Sequence, residues 1–240
     1  MSTNHIEETN KKKPKNKSIS KLYTFLTLIA VVLLVLKFFV YQQVTVVGES
    51  MLPNYRDGEL LMVNQLDMKH ERGQVVAVYA DENVAKNADY FTRFSARFFL
   101  KRIIGLPKES IEIIDSKIII YNDQNPDGAV LNESYISDQT RNTEKLRNYY
   151  YPKTEIRENH FFLLGDNRSN STDSRNSTLG TVPEYSLFGI ENFRFWPTKD
   201  FALFEQPKYT YEPVSEELKS RKEDILSPRK NGILSLDINL

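Results

Sequence analysis

The sequence predicts a mainly β protein that begins with one transmembrane helix. The chain has a single long apolar run, at residues 22–40, and a lysine-rich segment precedes it. Beyond this run, short stretches of β-branched and aromatic residues alternate with turn-forming residues, and long helical patterns are few. The 13 Tyr and 14 Phe residues also favour strands. A chain of 240 residues is long enough for one such anchored domain with a real core.

Charge and cysteine content exclude several classes of protein. The 32 Lys and Arg residues balance 32 Asp and Glu residues, so we expect no nucleic-acid partner. The absence of cysteine excludes a disulfide framework, a zinc–thiolate site and a cysteine nucleophile. No metal-ligand spacing or phosphate-binding glycine loop is present, so we expect no metal and no cofactor. The isolated His5, His70 and His160 do not favour a Ser-His-Asp site.

The N-terminal region predicts a single-pass anchor. Residues 1–21 are predicted to be a basic cytoplasmic tail, and residues 22–41 supply about 20 mostly apolar residues, enough to cross the bilayer. Lys37, near the far end, can extend its amine to the interface. The lysines ahead of the run predict a cytoplasmic N-terminus and an extracytoplasmic remainder. A cleavable signal peptide is the alternative, but the run is long for one and residues 41–44 offer no Ala-x-Ala-like site.

The rest of the chain divides into an extracytoplasmic domain, residues 42–205, and a polar C-terminal tail, residues 206–240. Within the domain, residues 122–159 are polar with scattered Tyr and are predicted to be a peripheral lobe. The tail is predicted to contain one charged helix at 215–226. The predicted strands are short and bounded by turn residues: 44–47, 60–64, 74–79, 98–104, 111–114, 118–121, 161–164, 187–190 and 193–196.

Ser50 is the first candidate for chemistry. It lies between Gly48 and Pro53, a few residues beyond the apolar run. A nucleophile at this place would work at the bilayer surface. A serine hydroxyl is a weak nucleophile until a neighbouring base takes its proton, so the chain must also provide a base.

Lys101 is the candidate base. In a strand at 98–104, alternation places Lys101 in a row with Phe99 and Ile103. Burial in such a row disfavours the ammonium form and lowers the lysine pKa, and a neutral amine is what a general base for serine needs. The alternative is an edge-strand lysine whose amine reaches water, and a lone lysine favours that interpretation.

A polar segment at residues 165–175 is the third candidate. It follows an apolar strand and is dense in hydroxyl, carboxylate and guanidinium groups. Asp173 and Arg175 could form an ion pair that fixes this loop. The alternative is a solvated Asn/Ser-rich loop without a function.

Together these segments resemble the type I signal peptidases, which are membrane-bound Ser-Lys endopeptidases that remove signal peptides from exported proteins. The resemblance covers about residues 22–197 and implies a catalytic domain of coiled antiparallel sheets, the signal peptidase/LexA-like fold. It depends on four motifs in the family's order: Gly48-x-Ser50-Met51-x-Pro53, Asp57-Gly58-Glu59-Leu60-Leu61-Met62-Val63-Asn64, Lys101-Arg102-Ile103-Ile104-Gly105-Leu106-Pro107 and Gly165-Asp166-Asn167-Arg168-x-x-Ser171-x-Asp173-Ser174-Arg175.

The resemblance implies a role for each matching residue. Ser50 matches the nucleophile, and its backbone N–H would donate to the oxyanion. Lys101 matches the general base. Ser171 matches the serine that orients the lysine amine, and Asp173 and Arg175 match the structural pair behind it.

The substrate pocket and the departures from the family pattern involve other positions. Met51 matches a residue that lines the pocket for the small residue at the cleavage point. Gly48 stands where some members carry a serine that completes the oxyanion hole, so the hole here depends on backbone groups or water. Asn54 replaces the usual Thr, and the Pro-Lys-Glu at 107–109 replaces Pro-Gly-Asp. None of these changes removes the nucleophile or the base.

The implied function is removal of signal peptides from exported preproteins after a small residue, at the cell membrane and with the lipid bilayer as a second partner. Two other classes remain open. A catalytically reduced chaperone for assembly of pili or secreted proteins would lose the dyad, whereas Ser50 and Lys101 are both present. A self-cleaving Ser-Lys regulator of the repressor type needs a DNA-binding region, whereas this chain begins with an apolar span.

Overall fold

This computed structural model describes residues 17–36, 40–67, 69–87, 89, 92, 95–137, 140, 145–177 and 179–227. The chain divides into two units, residues 1–40 and residues 41–240. Most of the predicted basic tail, together with His5 and Lys37, lies outside the described residues.

The first unit contains helix α1, Lys17–Val35. Its 19 residues rise by about 1.5 Å each, or roughly 28 Å in all, which is close to the thickness of the hydrocarbon layer. Among the described residues, it is the one helix long and apolar enough to cross a membrane. Tyr41, predicted as the last residue of the span, instead begins a strand in which it pairs with Asn64. That α1 crosses a membrane stays a prediction.

The described part of the second unit consists mainly of strands. Two helices accompany them, α2 (Glu82–Asn87) and α3 (Glu216–Leu226). The strands are β1 (Tyr41–Thr45), β2 (Leu60–Asn64), β3 (Val75–Tyr79), β4 (Phe98–Gly105), β5 (Ser110–Ile114), β6 (Lys117–Asn122), β7 (Asn125–Asn132), β8 (Tyr150–Glu155), β9 (His160–Leu164), β10 (Val182–Pro183), β11 (Leu187–Trp196), β12 (Ala202–Leu203) and β13 (Thr210–Pro213).

These strands form two antiparallel sheets. The larger, eight-stranded sheet has the order β1-β2-β11-β3-β4-β9-β10, and β12 pairs with β11 at its side. The smaller, five-stranded sheet has the order β13-β7-β6-β5-β8. The prediction of a mainly β fold of antiparallel sheets, with an apolar N-terminal helix, is confirmed.

An isoleucine-rich core joins the two sheets. Ile104 and Phe162 of the larger sheet pack with Ile111, Ile118 and Ile120 of the smaller one, and all five are buried. Burial of apolar surface of this kind is the main favourable contribution to folding. A second cluster lies under the turn that carries Ser50, and it consists of Val46, Met51, Tyr55, Leu61, Val75 and Leu100, with Phe204 packed against it.

The smaller sheet was largely missed by the sequence prediction. Its hairpin β5–β6 was predicted, but β7 and β8 were not, because their sequences are polar. Both become strands by pairing with the isoleucine-rich hairpin, β7 with β6 and β8 with β5. The sheet therefore contains two strands from within the predicted lobe at 122–159, β7 and β8, and one strand from the predicted tail, β13. The domain boundaries drawn from the sequence stay a prediction.

Two other comparisons concern the larger sheet and the tail. The strands predicted at 187–190 and 193–196 are one continuous strand, β11. The predicted helix at 215–226 is confirmed as α3, where the Ser215 hydroxyl caps the first turn by accepting the Leu218 N–H at 3.2 Å. Strand β13 was not predicted, because all four of its residues are exposed and its sequence has no apolar alternation.

Candidate active site

Ser50 lies in the turn that follows β1, and backbone contacts shape this turn. Gly48 has φ +81°, a left-handed conformation that favours glycine. A side chain there would meet nothing within 4 Å, so the requirement is conformational rather than steric. The Gly48 N–H donates to Asp57 Oδ1 at 2.7 Å. The glycine in the serine motif and the aspartate of the next motif therefore hold the start of the turn together.

Lys101 lies in the middle of β4, opposite Val76 of β3. Its side chain is only 4% exposed, so the alternative of an edge-strand lysine that reaches water is wrong. Its Nζ lies 5.8 Å from the centre of the Phe99 ring, on the same side of the strand as the alternation predicts. Lys101 is thus a lysine whose amine is kept mostly out of water.

The two candidate residues meet. Lys101 Nζ lies 2.8 Å from Ser50 Oγ, and it also donates to the Leu100 carbonyl at 3.0 Å. Burial lowers the pKa of the Lys101 amine to about 8, although the nearby Asp173 and Asp166 charges act in the opposite direction. A substantial fraction of the amine is therefore neutral in mildly alkaline solution, and a neutral amine at this distance can accept the Ser50 proton.

Asp173 and Arg175 form the predicted ion pair. Arg175 Nε and Nη2 donate to the two Asp173 oxygens, each at 2.8 Å, and the Gly165 N–H donates to Asp173 at 3.1 Å. Burial raises the pKa of the Asp173 carboxyl, but the Arg175 hydrogen bonds and charge outweigh this effect and lower it below its ordinary value. The segment 165–175 is therefore an ordered loop against the dyad, and the alternative of a solvated loop is wrong.

Ser171 is brought to the site but does not contact the lysine amine in this structure. Its Oγ is buried and makes no hydrogen bond of ordinary geometry, although it lies close enough to Asp173 to lower the pKa of that carboxyl. The orienting hydrogen bond from Ser171 to Lys101 is thus absent between these described residues. The role of Ser171 stays a prediction.

Gly165 and Asn167 are two site residues whose contacts the sequence did not indicate. The Asn167 N–H donates to the Ser50 carbonyl at 3.0 Å, and Asn167 Nδ2 donates to the Glu49 carbonyl at 3.1 Å. A Cβ on Gly165 would lie 2.2 Å from Ser171 Oγ and 2.5 Å from the Ser50 carbonyl oxygen. The loop therefore holds the backbone of the Ser50 turn at a distance that only glycine permits.

A buried ion pair connects three of the four motifs. Arg102, the neighbour of Lys101, donates to Asp166 through Nε at 2.8 Å and through Nη2 at 2.6 Å. Asn54 Nδ2, from the segment after Ser50, donates to the same Asp166 carboxylate at 2.8 Å. The serine turn, the lysine strand and the 165–175 loop therefore share one carboxylate. The sequence placed Arg102 and Asp166 inside motifs but assigned no role to either of them.

A cavity of about 500 Å³ opens in front of the dyad. Its wall includes Ser50, Lys101, Ser171 and the exposed Val47 and Phe99. Met51 is not part of this wall: it is 1% exposed and belongs to the core cluster beneath the turn. The predicted contact of Met51 with substrate therefore stays a prediction.

The Ser50 backbone lies at this cavity. The Ser50 N–H makes no hydrogen bond within the described part of the chain, so it is free to donate.

The two described histidines contact other groups. His70 lies 3.2 Å from Glu184 Oε1, and His160 lies 2.9 Å from the Glu158 carbonyl. Among the described residues, no group of three or more His, Asp or Glu side chains could hold a metal ion.

Comparisons with known proteins identify the family of the chain. A family model described as "Signal peptidase, peptidase S26" matches residues 19–196. The chain is 31% identical over 189 residues to signal peptidase IB of Staphylococcus aureus strain MRSA252, which covers 75% of this chain and 91% of that protein. It is 33% identical over 178 residues to signal peptidase I of Bacillus licheniformis, which covers 71% of this chain and 85% of that protein.

A solved structure was also found. The crystal structure of a signal peptidase I from Enterococcus faecalis V583 is 28% identical and covers 51% of this chain and 96% of its own. Its TM-score of 0.36 is too low to support a shared fold by itself. The family model and the two sequence relatives confirm the resemblance to Gram-positive type I signal peptidases, and the chain belongs to the signal peptidase family, peptidase S26.

Proposed function

We propose that the protein removes signal peptides from exported preproteins, with Ser50 as the nucleophile and Lys101 as the general base. One observation carries this assignment: Lys101 Nζ lies 2.8 Å from Ser50 Oγ in a chain of the signal peptidase family. The relatives are signal peptidases I and IB, so this chain is a serine endopeptidase of the same kind. Nothing in the structure favours an assembly chaperone.

The reaction has two halves. In the first, neutral Lys101 takes the Ser50 proton while Oγ attacks the scissile carbonyl, and the resulting ammonium protonates the leaving amine of the mature protein. This leaves the signal peptide bound to Ser50 as an ester. In the second, neutral Lys101 takes a proton from water, the hydroxide attacks the ester, and the ammonium returns the proton to Ser50 Oγ.

The backbone at Ser50 is suited to stabilise the oxyanion in both halves. Its N–H has no partner within the described residues, and a fixed donor aimed at developing negative charge is worth more than one that must first leave water. Asn167 keeps this N–H in place, because it binds the carbonyl of the same residue at 3.0 Å. The side-chain donor that some family members carry is replaced by Gly48.

Three further residues have positioning roles in this proposal. Asp173 and Arg175 hold the loop against the dyad through their paired hydrogen bonds. Ser171 Oγ is buried beside Gly165 without a hydrogen bond of its own, and Ser171 lines the same cavity as Lys101. In this proposal Ser171 would bind the lysine amine during the reaction and orient it towards Ser50.

Cleavage after a small residue is the specificity that we propose. A pocket that fits Ala cannot admit a larger side chain without a clash. Met51 directly follows Ser50 and is buried beneath the turn, so it would limit the depth of such a pocket from below.

The proposed place of action is the surface of the cell membrane. Helix α1 would be the single span, with the lysines before it on the cytoplasmic side and residues from Tyr41 onward outside. Val47 and Phe99, both exposed at the cavity, would then meet a signal peptide at the bilayer surface.

Cleavage of a preprotein tests this function. The full chain in detergent is incubated with a labelled preprotein that carries Ala-x-Ala before its cleavage site, beside Ser50→Ala and Lys101→Ala. The exposed Ser220 and Lys199 provide matched controls, as Ser220→Ala and Lys199→Ala, because both lie away from the cavity wall. We expect the parent and both controls to cut at the junction, and both dyad variants to lose at least about 10²–10⁴-fold in rate.

The other outcomes separate the parts of the proposal. If Lys101→Ala retained the parent rate, another residue would be the base. If the parent bound the preprotein but left it uncut, the assembly-chaperone function would replace the peptidase. Cleavage after Leu or Phe at the rate seen after Ala would contradict the small-residue specificity.

A further inference from the structure

Residues 202–213, which we call the C-terminal strap, run along the back of the active site. They lie beyond the family match, which ends at residue 196. The strap begins as β12, where Leu203 pairs with Phe193 of the larger sheet, and ends as β13, where Tyr211 pairs with Leu131 of the smaller sheet. One short segment is therefore bound to both sheets.

The first contact of the strap is Phe204. Its N–H donates to the Asn192 carbonyl at 2.8 Å. Its side chain packs on the core cluster that contains Met51 and Leu100. Met51 directly follows Ser50, and Leu100 directly precedes Lys101, so Phe204 packs on a cluster that includes a neighbour of each dyad residue.

The second contact is Tyr209. Its hydroxyl donates to the Tyr135 hydroxyl at 3.2 Å, and the two rings meet edge to face with centroids 6.0 Å apart. The Tyr135 ring in turn stacks on the Arg102 guanidinium, whose Cζ lies 4.3 Å from the ring centre. Arg102 directly follows Lys101, so the strap also reaches the other neighbour of the base.

The strap is also held to the turn before β3, by residues on both sides of Tyr209. Gln206 Nε2 donates to the Arg72 carbonyl at 3.0 Å, and Arg72 Nε donates to the Tyr211 hydroxyl at 3.1 Å. A Cβ on Gly73 would lie 2.8 Å from Tyr209 Cε2, and Gly73 has φ +95°. The glycine therefore permits a close approach of the strap that a side chain would prevent.

Strand geometry explains why these contacts matter for the dyad. Side chains at positions 100 and 102 project from the face of β4 opposite to that of Lys101. Through Phe204 the strap packs on the cluster that contains Leu100, and through Tyr209 and Tyr135 it reaches Arg102. Packing at both flanking positions would fix the position of the β4 backbone, and the position of this backbone sets the distance from Lys101 Nζ to Ser50 Oγ.

We propose that the C-terminal strap is a positioning element of the active site, in which Phe204 and Tyr209 hold β4 and the Ser50 turn from behind. This inference depends on the proposed roles of Ser50 and Lys101. Phe204 is only partly buried, so its loss would open to solvent the space that its ring fills under the site. Two consequences follow: the distance between the dyad atoms would vary, and the Lys101 amine would be less dehydrated.

Kinetics of strap variants test this role. The full chain in detergent is assayed against one labelled peptide that carries a signal sequence with Ala before the scissile bond. The variants are Phe204→Ala, the conservative Phe204→Leu and Tyr209→Phe, which removes only the hydroxyl. Leu218→Ala is the control, because Leu218 is likewise an apolar residue of the C-terminal region but packs on the smaller sheet with Ile114 and Ile119. The readouts are kcat, the pH dependence of kcat/KM and the temperature of unfolding.

We expect Phe204→Ala to lower kcat about tenfold or more and to move the midpoint of the pH profile to higher pH. Phe204→Leu should keep most of the parent kcat and a pH midpoint close to that of the parent. Tyr209→Phe should lower kcat by a smaller factor than Phe204→Ala. Leu218→Ala lowers the unfolding temperature and leaves kcat and the midpoint unchanged. If Phe204→Ala changes only the unfolding temperature, as Leu218→Ala does, the strap is merely structural and the inference is overturned.

The remaining outcomes are also decisive. If Phe204→Ala does not fold, Phe204→Leu and Tyr209→Phe test the inference in its place. If both of these variants have the kcat and the pH midpoint of the parent, the inference is overturned. No cleavage by the parent chain overturns the proposed function, and this inference with it. If the parent cleaves the peptide and the strap variants have its kcat and pH midpoint, only the proposed role of the strap is overturned.

Discussion

Two ion pairs, one beside the dyad and one on the smaller sheet, differ in their exposure to water. In the larger sheet, beside the dyad, the Arg102 and Asp166 side chains are 4% and 0% exposed. In the smaller sheet, the Arg221 and Asp115 side chains that connect α3 to the β5–β6 turn are 36% and 31% exposed. A buried pair costs much to break because it leaves an uncompensated charge, whereas an exposed pair is replaced by water. The comparison teaches that the cost of breaking an ion pair depends on its burial, and that the pair beside the dyad is the buried one of these two.

The largest effect is expected from breaking the buried pair. Asp166→Asn leaves the Arg102 guanidinium buried without its counter-charge and should lower the free energy of unfolding by about 3–5 kcal/mol, measured by denaturant titration in detergent. The double variant Arg102→Met/Asp166→Leu removes both charges and should be less destabilised than Asp166→Asn. If the double variant is the less stable of the two, the pair itself stabilises the fold, contrary to this account.

How much of this site the sequence could predict depends on the kind of signal. Ser50, Lys101, Asp173 and Arg175 are side chains inside motifs, and the alternation of β4 already indicated that Lys101 is buried. The structure brings these four together. The contact from the Asn167 N–H to the Ser50 carbonyl could not be predicted, because backbone groups carry no residue-specific signal and the partners are distant in sequence.

The fold shows the same division. The isoleucine-rich hairpin of β5 and β6 follows from two short apolar runs around the turn at Asp115 and Ser116. Strands β7, β8 and β13 do not, because their residues are polar or exposed and they become strands only by pairing with a neighbour. The strap was missed for a related reason. Its contacts come from single side chains such as Phe204 and Tyr209, and their spacing follows neither a helical nor a strand period.

The second prediction contrasts two lysines whose pKa values shift in opposite directions. Burial lowers the pKa of Lys101 to about 8, whereas the hydrogen bond to Glu112 raises the pKa of Lys222 in α3. The base must be neutral, and the ammonium form dominates below the pKa. The value of kcat/KM should therefore rise with pH up to about 8, and fall by about tenfold for each pH unit below that value.

A pH series on the peptide substrate measures this profile. Lys222→Met is the matched control, since Lys222 lies on the smaller sheet side and should leave the profile unchanged. A midpoint near 10.5, the ordinary lysine value, would show that burial does not lower the pKa of Lys101.

The third prediction compares Gly165, in the loop beside the dyad, with Gly128, in β7 of the smaller sheet. Gly165→Ala places a Cβ 2.2 Å from Ser171 Oγ and 2.5 Å from the Ser50 carbonyl oxygen, whereas Gly128→Ala places one 2.6 Å from Tyr121 Cε1. Both should cost about 1–3 kcal/mol of stability through overpacking. Only Gly165→Ala should also lower kcat, because only it displaces the Ser50 turn.

Paired measurements of unfolding temperature and kcat separate these two variants. Equal loss of kcat in Gly128→Ala would mean that the smaller sheet is coupled to the dyad as strongly as the 165–175 loop. A parent-like kcat in Gly165→Ala would mean that the loop does not control the position of Ser50.

The smallest effect is expected from the exposed pair of the smaller sheet. Arg221→Ala removes the contact of Arg221 Nε with Asp115 Oδ2, which spans 3.3 Å, and a contact with Asn148. Water can solvate the Asp115 carboxylate in its place, so the free energy of unfolding should fall by less than about 1 kcal/mol, with kcat unchanged. Denaturant titration at low and high salt measures the effect, which should shrink further as salt screens the charges. A loss as large as that of Asp166→Asn would mean that exposure does not explain the difference between the two ion pairs. The connection of α3 to the β5–β6 turn would then be part of the folded core.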